Sequence, residues 1–85
     1  MRLADRVAVV TGAGSGIGRA IAQAFAREGA LVAGLDVREA PARETVALLG
    51  AGKHQAFACD VADGAAVVRA FDAIDAAYGR IDIVI

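Results

Sequence analysis

With 85 residues, ten acidic and nine basic side chains and a net charge of -1, the chain has room for one domain and carries no electrostatic footprint for nucleic acid or an anionic membrane. The apolar fraction of 58% is above the roughly 45 to 50% of ordinary globular chains, and much of it is Ala, which suits close packing of helix on sheet. A single cysteine excludes an internal disulfide, the first residues, Met1-Arg2-Leu3-Ala4-Asp5-Arg6, give no signal-peptide pattern, and no apolar run approaches the roughly 20 residues that cross a bilayer, so a soluble cytoplasmic protein is expected.

In chain order, Val7-Ala8-Val9-Val10 is a continuous apolar run without alternation, which predicts a strand covered on both faces of a parallel sheet. A glycine-rich turn follows. Ile17, Ala20, Ile21, Ala24 and Phe25 then fall at i, i+3, i+4, i+7 and i+8, one face of a helix over about residues 15–28 that Gly29 stops. Residues 30–35 form a second short apolar run ending at Asp36. Pro41 fits the first turn of a helix, so residues 42–49 are read as a short helix closed by Gly50 and Gly52.

Residues 55–59 read as a third strand, ending at Asp60-Val61. Asp63 is placed to cap a third helix with the stripe Val67, Ala70, Phe71, Ile74, Ala77 and Tyr78, which Gly79 ends. Residues 80–85 open a fourth strand. Strands alternating with helices of this length predict an α/β fold of βαβ units with right-handed crossovers, a doubly wound, Rossmann-like parallel sheet in the order 3-2-1-4. The first two helices then share one face of the sheet and the third covers the other.

The glycine turn carries the chemistry. A strand that feeds a helix through glycines brings backbone N-H groups and the positive end of a helix dipole to one spot, with no Cβ in the way of an approaching phosphate. G-x-G-x-x-G fits from neither Gly12 nor Gly14, because positions 17 and 19 are Ile and Arg, and no Gly-Lys-Ser/Thr follows to make a P-loop. The pattern present is T-G-x-x-x-G-x-G, on Thr11, Gly12, Gly16 and Gly18. Asp36 lies eighteen positions after Gly18, where a carboxylate can accept the adenosine ribose hydroxyls of NAD and repel the extra phosphate of NADP. NADP is therefore less favoured, although Arg38 stands close enough to offset the repulsion.

These residues resemble the cofactor-binding part of the short-chain dehydrogenase/reductase family. The resemblance spans the whole chain and rests on the glycine motif, Asp36 and Asp60-Val61. It implies that Thr11 braces the turn, that Ser15 and Ile17 meet the cofactor chiefly through backbone, that Gly12, Gly16 and Gly18 admit the pyrophosphate, and that Asp60 and Val61 meet the adenine. It further implies hydride transfer between a nicotinamide and an alcohol or carbonyl carbon, with a Tyr acid/base aided by Lys, Ser and Asn.

No such catalytic set is present. The only Ser, Lys and Tyr are Ser15, Lys53 and Tyr78, there is no Asn, and Tyr78 is followed at the fourth position by Asp82 rather than Lys. The expectation is an incomplete cofactor-binding domain over residues 1–85, a fragment inactive alone, whose open sheet edge takes the rest of a parent fold or another copy. Lone His54 reads as a surface residue without a second metal ligand, and Cys59 as small apolar filler. Two other readings stay open. Gly14-Ser15-Gly16-Ile17-Gly18 also satisfies the G-x-G-x-G of S-adenosylmethionine methyltransferases, although position 12 is Gly where that pattern wants an acid, and a non-catalytic nucleotide-binding module needs only the turn.

Overall fold

The structure, a computed structural model, describes residues 2–85. Four parallel strands, β1 (Val7–Thr11), β2 (Leu31–Asp36), β3 (Gln55–Ala58) and β4 (Ile83–Val84), form one sheet in the order β3-β2-β1-β4. Helices α1 (Gly16–Arg27), α2 (Glu39–Ala47) and α3 (Gly64–Tyr78) connect them. The predicted topology is the observed one. Val7 pairs with Leu31 and Thr11 with Leu35, so β1 and β2 run in step and their carboxyl ends reach the same edge of the sheet.

Both faces of β1 are buried, which is why its sequence does not alternate. Val7 and Val9, with Ala33 and Leu35 of β2, pack under Ala70 and Ile74 of α3. Val10 and Val32 pack on the other face against Ala22, Ile21 and Phe25 of α1, with Leu49 beyond α2. Small residues let the layers close up: Ala8, Ala13, Ala22, Ala33 and Ala42 are all fully buried. Cys59 sits in the core cluster beneath α3, as its small apolar side chain suggests.

Helix ends follow local chemistry. Ser15 caps α1, and Asp63 caps α3 by accepting from the amides of Ala65 and Ala66 at 3.0 and 3.3 Å. Gly79, with φ 77°, closes α3 in the left-handed conformation. α2 begins at Glu39, three residues before the start read from Pro41. Pro41 is its third residue, still within the turn whose N-H groups have no acceptor inside the helix, so the ring costs no hydrogen bond.

β4 is shorter than the predicted span 80–85. Backbone bonds to β1 continue on both sides of it, from the amide of Asp82 to Val7 O and from that of Ile85 to Val9 O, both at 2.9 Å, while Asp82 Oδ2 accepts from the amide of Val7 at 2.9 Å. Arg80 grips the same carboxylate with two hydrogen bonds, at 2.8 Å from Nε and 2.7 Å from Nη2, and Arg6 lies 3.6 Å away. The Arg80 contact, the Val7 amide and the charges of Arg80 and Arg6 pull the Asp82 carboxyl from its usual 3.8 down to about 2.

His54 is half-buried rather than superficial. Its Nδ1 accepts from the amide of Val32 at 3.0 Å, just ahead of the point where the β2–β3 ladder begins at Ala33 and Gln55. The ring stands in for a strand partner. At the same amino-terminal edge of the sheet, the Tyr78 hydroxyl donates to Lys53 O at 2.7 Å and ties the end of α3 to the loop before β3. Burial pushes the Tyr78 phenol up, against a smaller opposing backbone hydrogen bond near Gln55. No helix among the described residues is long and apolar enough to cross a membrane.

Candidate functional site

The site lies at the carboxyl ends of β1, β2 and β3, beside the place where the strand order reverses, since the chain moves outward from β1 to β3 and returns to β1's other side with β4. Residues 12–15 carry the chain from β1 into α1. Gly12 turns it with φ 63°, the left-handed region that glycine enters without strain. The turn is then pinned by the amide of Ala13, which donates to Leu35 O at 2.9 Å, and by that of Ser15, which donates to Gly12 O at 3.0 Å.

Ser15 fixes how the helix opens. Its hydroxyl donates to Gly12 O at 2.7 Å and accepts from the amide of Gly18 at 3.2 Å. The amides of Gly16 and Ile17 are left at the helix mouth, without an acceptor in the preceding turn by their position. The glycines differ in purpose. A Cβ on Gly18 would overlap the carbonyl of Gly12, so this glycine lets the helix lie against the turn. A Cβ on Gly16 would meet nothing within 4 Å, so there the backbone faces open space.

Thr11 acts elsewhere. Its hydroxyl donates to Ile85 O at 2.7 Å and its amide to the same oxygen at 2.9 Å, so it braces β1 against the end of β4 rather than the glycine turn.

Asp36 ends β2 and faces the turn. Its Oδ2 accepts from the amide of Gly14 at 2.9 Å and its Oδ1 from that of Arg38 at 3.1 Å. Gly14, Ser15, Asp36, Arg38, Pro41 and Glu44 line a cleft of about 370 Å³. This cleft brings Ser15 and Asp36 together. It does not include Asp60 or Val61. Asp60 lies one strand further out, where its Oδ1 accepts from the amide of Ala62 at 2.9 Å, and Val61 is 60% exposed. Ile17, at 78% exposure, and Val37, at 65%, are large apolar side chains likewise left uncovered next to the glycine turn and Asp36.

Val37 and Thr45 were not singled out from sequence, and Gly14 only as the first glycine of G-x-G-x-G. Gly14 falls outside the three glycines of the motif, yet a Cβ there would stand 2.5 Å from Pro41 Cβ and 2.9 Å from Asp36 Oδ2. Thr45, on α2, is fully buried, and its hydroxyl donates to Ala13 O at 2.6 Å while accepting from Arg19 Nε at 3.0 Å. Val37 had a local signal, an apolar residue directly after the strand-ending aspartate; Thr45 had none. Among the described residues no three His, Cys, Asp or Glu side chains gather as a metal site.

Residues 6–85 match the family model described as short chain dehydrogenase. The chain belongs to the short-chain dehydrogenase family. It is 52% identical, over 99% of its length, to the D-threitol dehydrogenase of Mycolicibacterium smegmatis, of which it covers 33%. It is 46% identical, over 94% of its length, to the (3R)-3-hydroxyacyl-CoA dehydrogenase of Mus musculus, of which it covers 34%. The short-chain dehydrogenase structures repeat the fold: a 3-ketoacyl-(acyl-carrier-protein) reductase from Brucella melitensis complexed with NADH superposes with a TM-score of 0.91 at 36% identity, over 96% of this chain and 33% of that one. An NAD+-bound xylitol dehydrogenase gives 0.94 at 31% identity, over 99% and 33%. The chain thus spans about a third of the length of the curated relatives it matches. The family match favours the dehydrogenase reading over the methyltransferase one that G-x-G-x-G had left open.

Proposed function

We propose that residues 1–85 bind NAD, as the cofactor-binding part of an oxidoreductase that moves hydride between the dinucleotide and an alcohol or ketone carbon. The observation that carries this reading is the pairing of an unobstructed helix mouth at Gly16 with the Asp36 carboxylate across the cleft. The amides of Gly16 and Ile17 suit a pyrophosphate, with the α1 dipole adding to the attraction. The carboxylate oxygens of Asp36 suit the adenosine ribose hydroxyls, and the exposed side chains of Val37 and Val61 offer apolar surface to an adenine, with Asp60 beside it. NAD is preferred to NADP because a phosphate 4 Å from Asp36 would meet a repulsion of about 4 kcal/mol at an effective dielectric near 20. Arg38, on the cleft wall, offsets part of that.

The bound dinucleotide supplies the hydride chemistry; these residues hold and orient it. Tyr78 does not join them as a proton donor, because its hydroxyl is engaged with Lys53 at the amino-terminal edge of the sheet, away from the cleft. The relatives are named for substrates as different as D-threitol and 3-hydroxyacyl-CoA, which share an alcohol carbon. We assign the whole protein that reaction type.

Calorimetric titration of the chain with NADH and, separately, with S-adenosylmethionine tests the reading. Saturable NADH binding with none of the methyl donor is expected; binding of the methyl donor alone would overturn it.

A further inference from the structure

The buried hydroxyl of Thr45 joins three parts of the fold: the glycine turn, α1 and α2. Its single proton goes to Ala13 O, at 2.6 Å, in preference to the carbonyl one turn back, Pro41 O, at 3.2 Å. Its lone pair takes the Nε-H of Arg19 at 3.0 Å, and Arg19 Nη2 reaches Glu44 at 3.5 Å. Ala13 belongs to the glycine turn, Arg19 to the first turns of α1, and Thr45 and Glu44 to α2. The cleft is built across this same junction, with Gly14 and Ser15 on one wall and Arg38, Pro41 and Glu44 on the other.

We infer that Thr45 is a positioning residue for the cofactor: its hydroxyl, oriented by Arg19, clamps α2 to the glycine turn and so sets the spacing between the pyrophosphate and adenosine parts of the site. The inference rests on the NAD-binding reading above and adds to it a residue that touches no ligand. Ala13 and Thr45 are both fully buried, so no water replaces the bond if the hydroxyl is removed. The Ala13 carbonyl would then have to move to find a partner, taking the turn with it.

Two substitutions separate the hydroxyl from the methyl. Thr45→Val keeps the shape and removes the hydroxyl; Thr45→Ser keeps the hydroxyl and removes the methyl. A third, Arg19→Met, keeps an aliphatic stem and removes the donor that orients Thr45. NADH affinity is read by calorimetry on the full chain at a temperature where circular dichroism shows each variant fully folded, so that loss of global stability drops out. Thr45→Val and Arg19→Met should weaken NADH by about tenfold, the scale of one buried acceptor left unpaired. Thr45→Ser should stay close to the wild type.

Unchanged affinity in Thr45→Val, or a loss in Thr45→Ser as large as that in Thr45→Val, would overturn the inference and leave NAD binding standing. If Thr45→Val does not fold, Arg19→Met and Thr45→Ser decide: wild-type affinity in the first or a tenfold loss in the second overturns it. A wild-type chain that does not bind NADH overturns the NAD reading and this inference together.

Discussion

The amide of Gly14 donates a 2.9 Å hydrogen bond to Oδ2 of Asp36, so the turn between β1 and α1 holds the carboxylate that ends β2. With Oδ1 taken by the amide of Arg38, the carboxylate is oriented from both sides before any ligand arrives. A group fixed in this way loses little rotamer freedom on binding, which favours affinity. The same arrangement ties the two halves of the proposed site into one unit, and it explains why residues so far apart in sequence must be tested together.

Gly14 and Gly16 should respond in opposite ways to the same added methyl. In Gly14→Ala the new Cβ meets Pro41 Cβ at 2.5 Å, against a ring that cannot swing aside, so urea unfolding should show a loss of about 1 to 3 kcal/mol. In Gly16→Ala nothing lies within 4 Å, and alanine is the better helix former, so stability should hold or rise by up to about 1 kcal/mol. The new methyl nevertheless sits where the pyrophosphate is proposed to approach, and NADH titration should show weakened binding. A Gly16→Ala chain that binds NADH normally would remove the helix mouth from the site.

Asp82 makes acid stability specific to one carboxylate. Its folded value, about 2, lies below the usual 3.8, so the unfolded chain takes up the proton first and the contribution is complete above 3.8. It is lost as the pH falls from about 4 towards 2, when the folded carboxyl protonates and releases Arg80 and the Val7 amide. Urea midpoints measured across that window should fall more steeply for the wild type than for Asp82→Asn. Parallel curves would mean that the carboxylate does not anchor β4.

How far the sequence exposed this depended on whether a residue's partner was near it along the chain. β1 was legible because burial on both faces leaves a continuous apolar run, and α1 because its apolar stripe and its following Gly29 agree. Asp63 and Gly79 bounded α3 for the same reason. The packing role of Gly14 was not legible: its need to be glycine comes from Asp36 and Pro41, brought to it by the crossover, and the local pattern shows only one more glycine of the turn. Thr45 reads as one more polar residue on a helix until α1 and the glycine turn close over it. His54 and Thr11 were placed wrongly in detail because each serves a strand end, Val32 in one case and Ile85 in the other. The start of α2 was set three residues late, at Ala42, because Pro41 was taken to mark the opening of the helix, whereas two helical residues precede it.

Ile74, fully buried on the inner face of α3, packs in the cluster with Val7, Val9 and Leu35. Ile74→Ala should cost about 2 to 5 kcal/mol in denaturant unfolding. Val68, on the same helix but 60% exposed, should tolerate Val68→Ser within about 0.5 kcal/mol. Equal effects at the two positions would contradict the assignment of the helix face that covers the sheet.

The most direct test is the dissociation constant of NADH against that of NADPH, for the wild-type chain and for Asp36→Asn, in low-salt buffer. A carboxylate that clasps the ribose hydroxyls predicts tight NADH binding, NADPH weaker by at least about tenfold, and a ratio that shrinks towards one when the charge is removed. Equal affinities in the wild type, or a ratio untouched by Asp36→Asn, would contradict it.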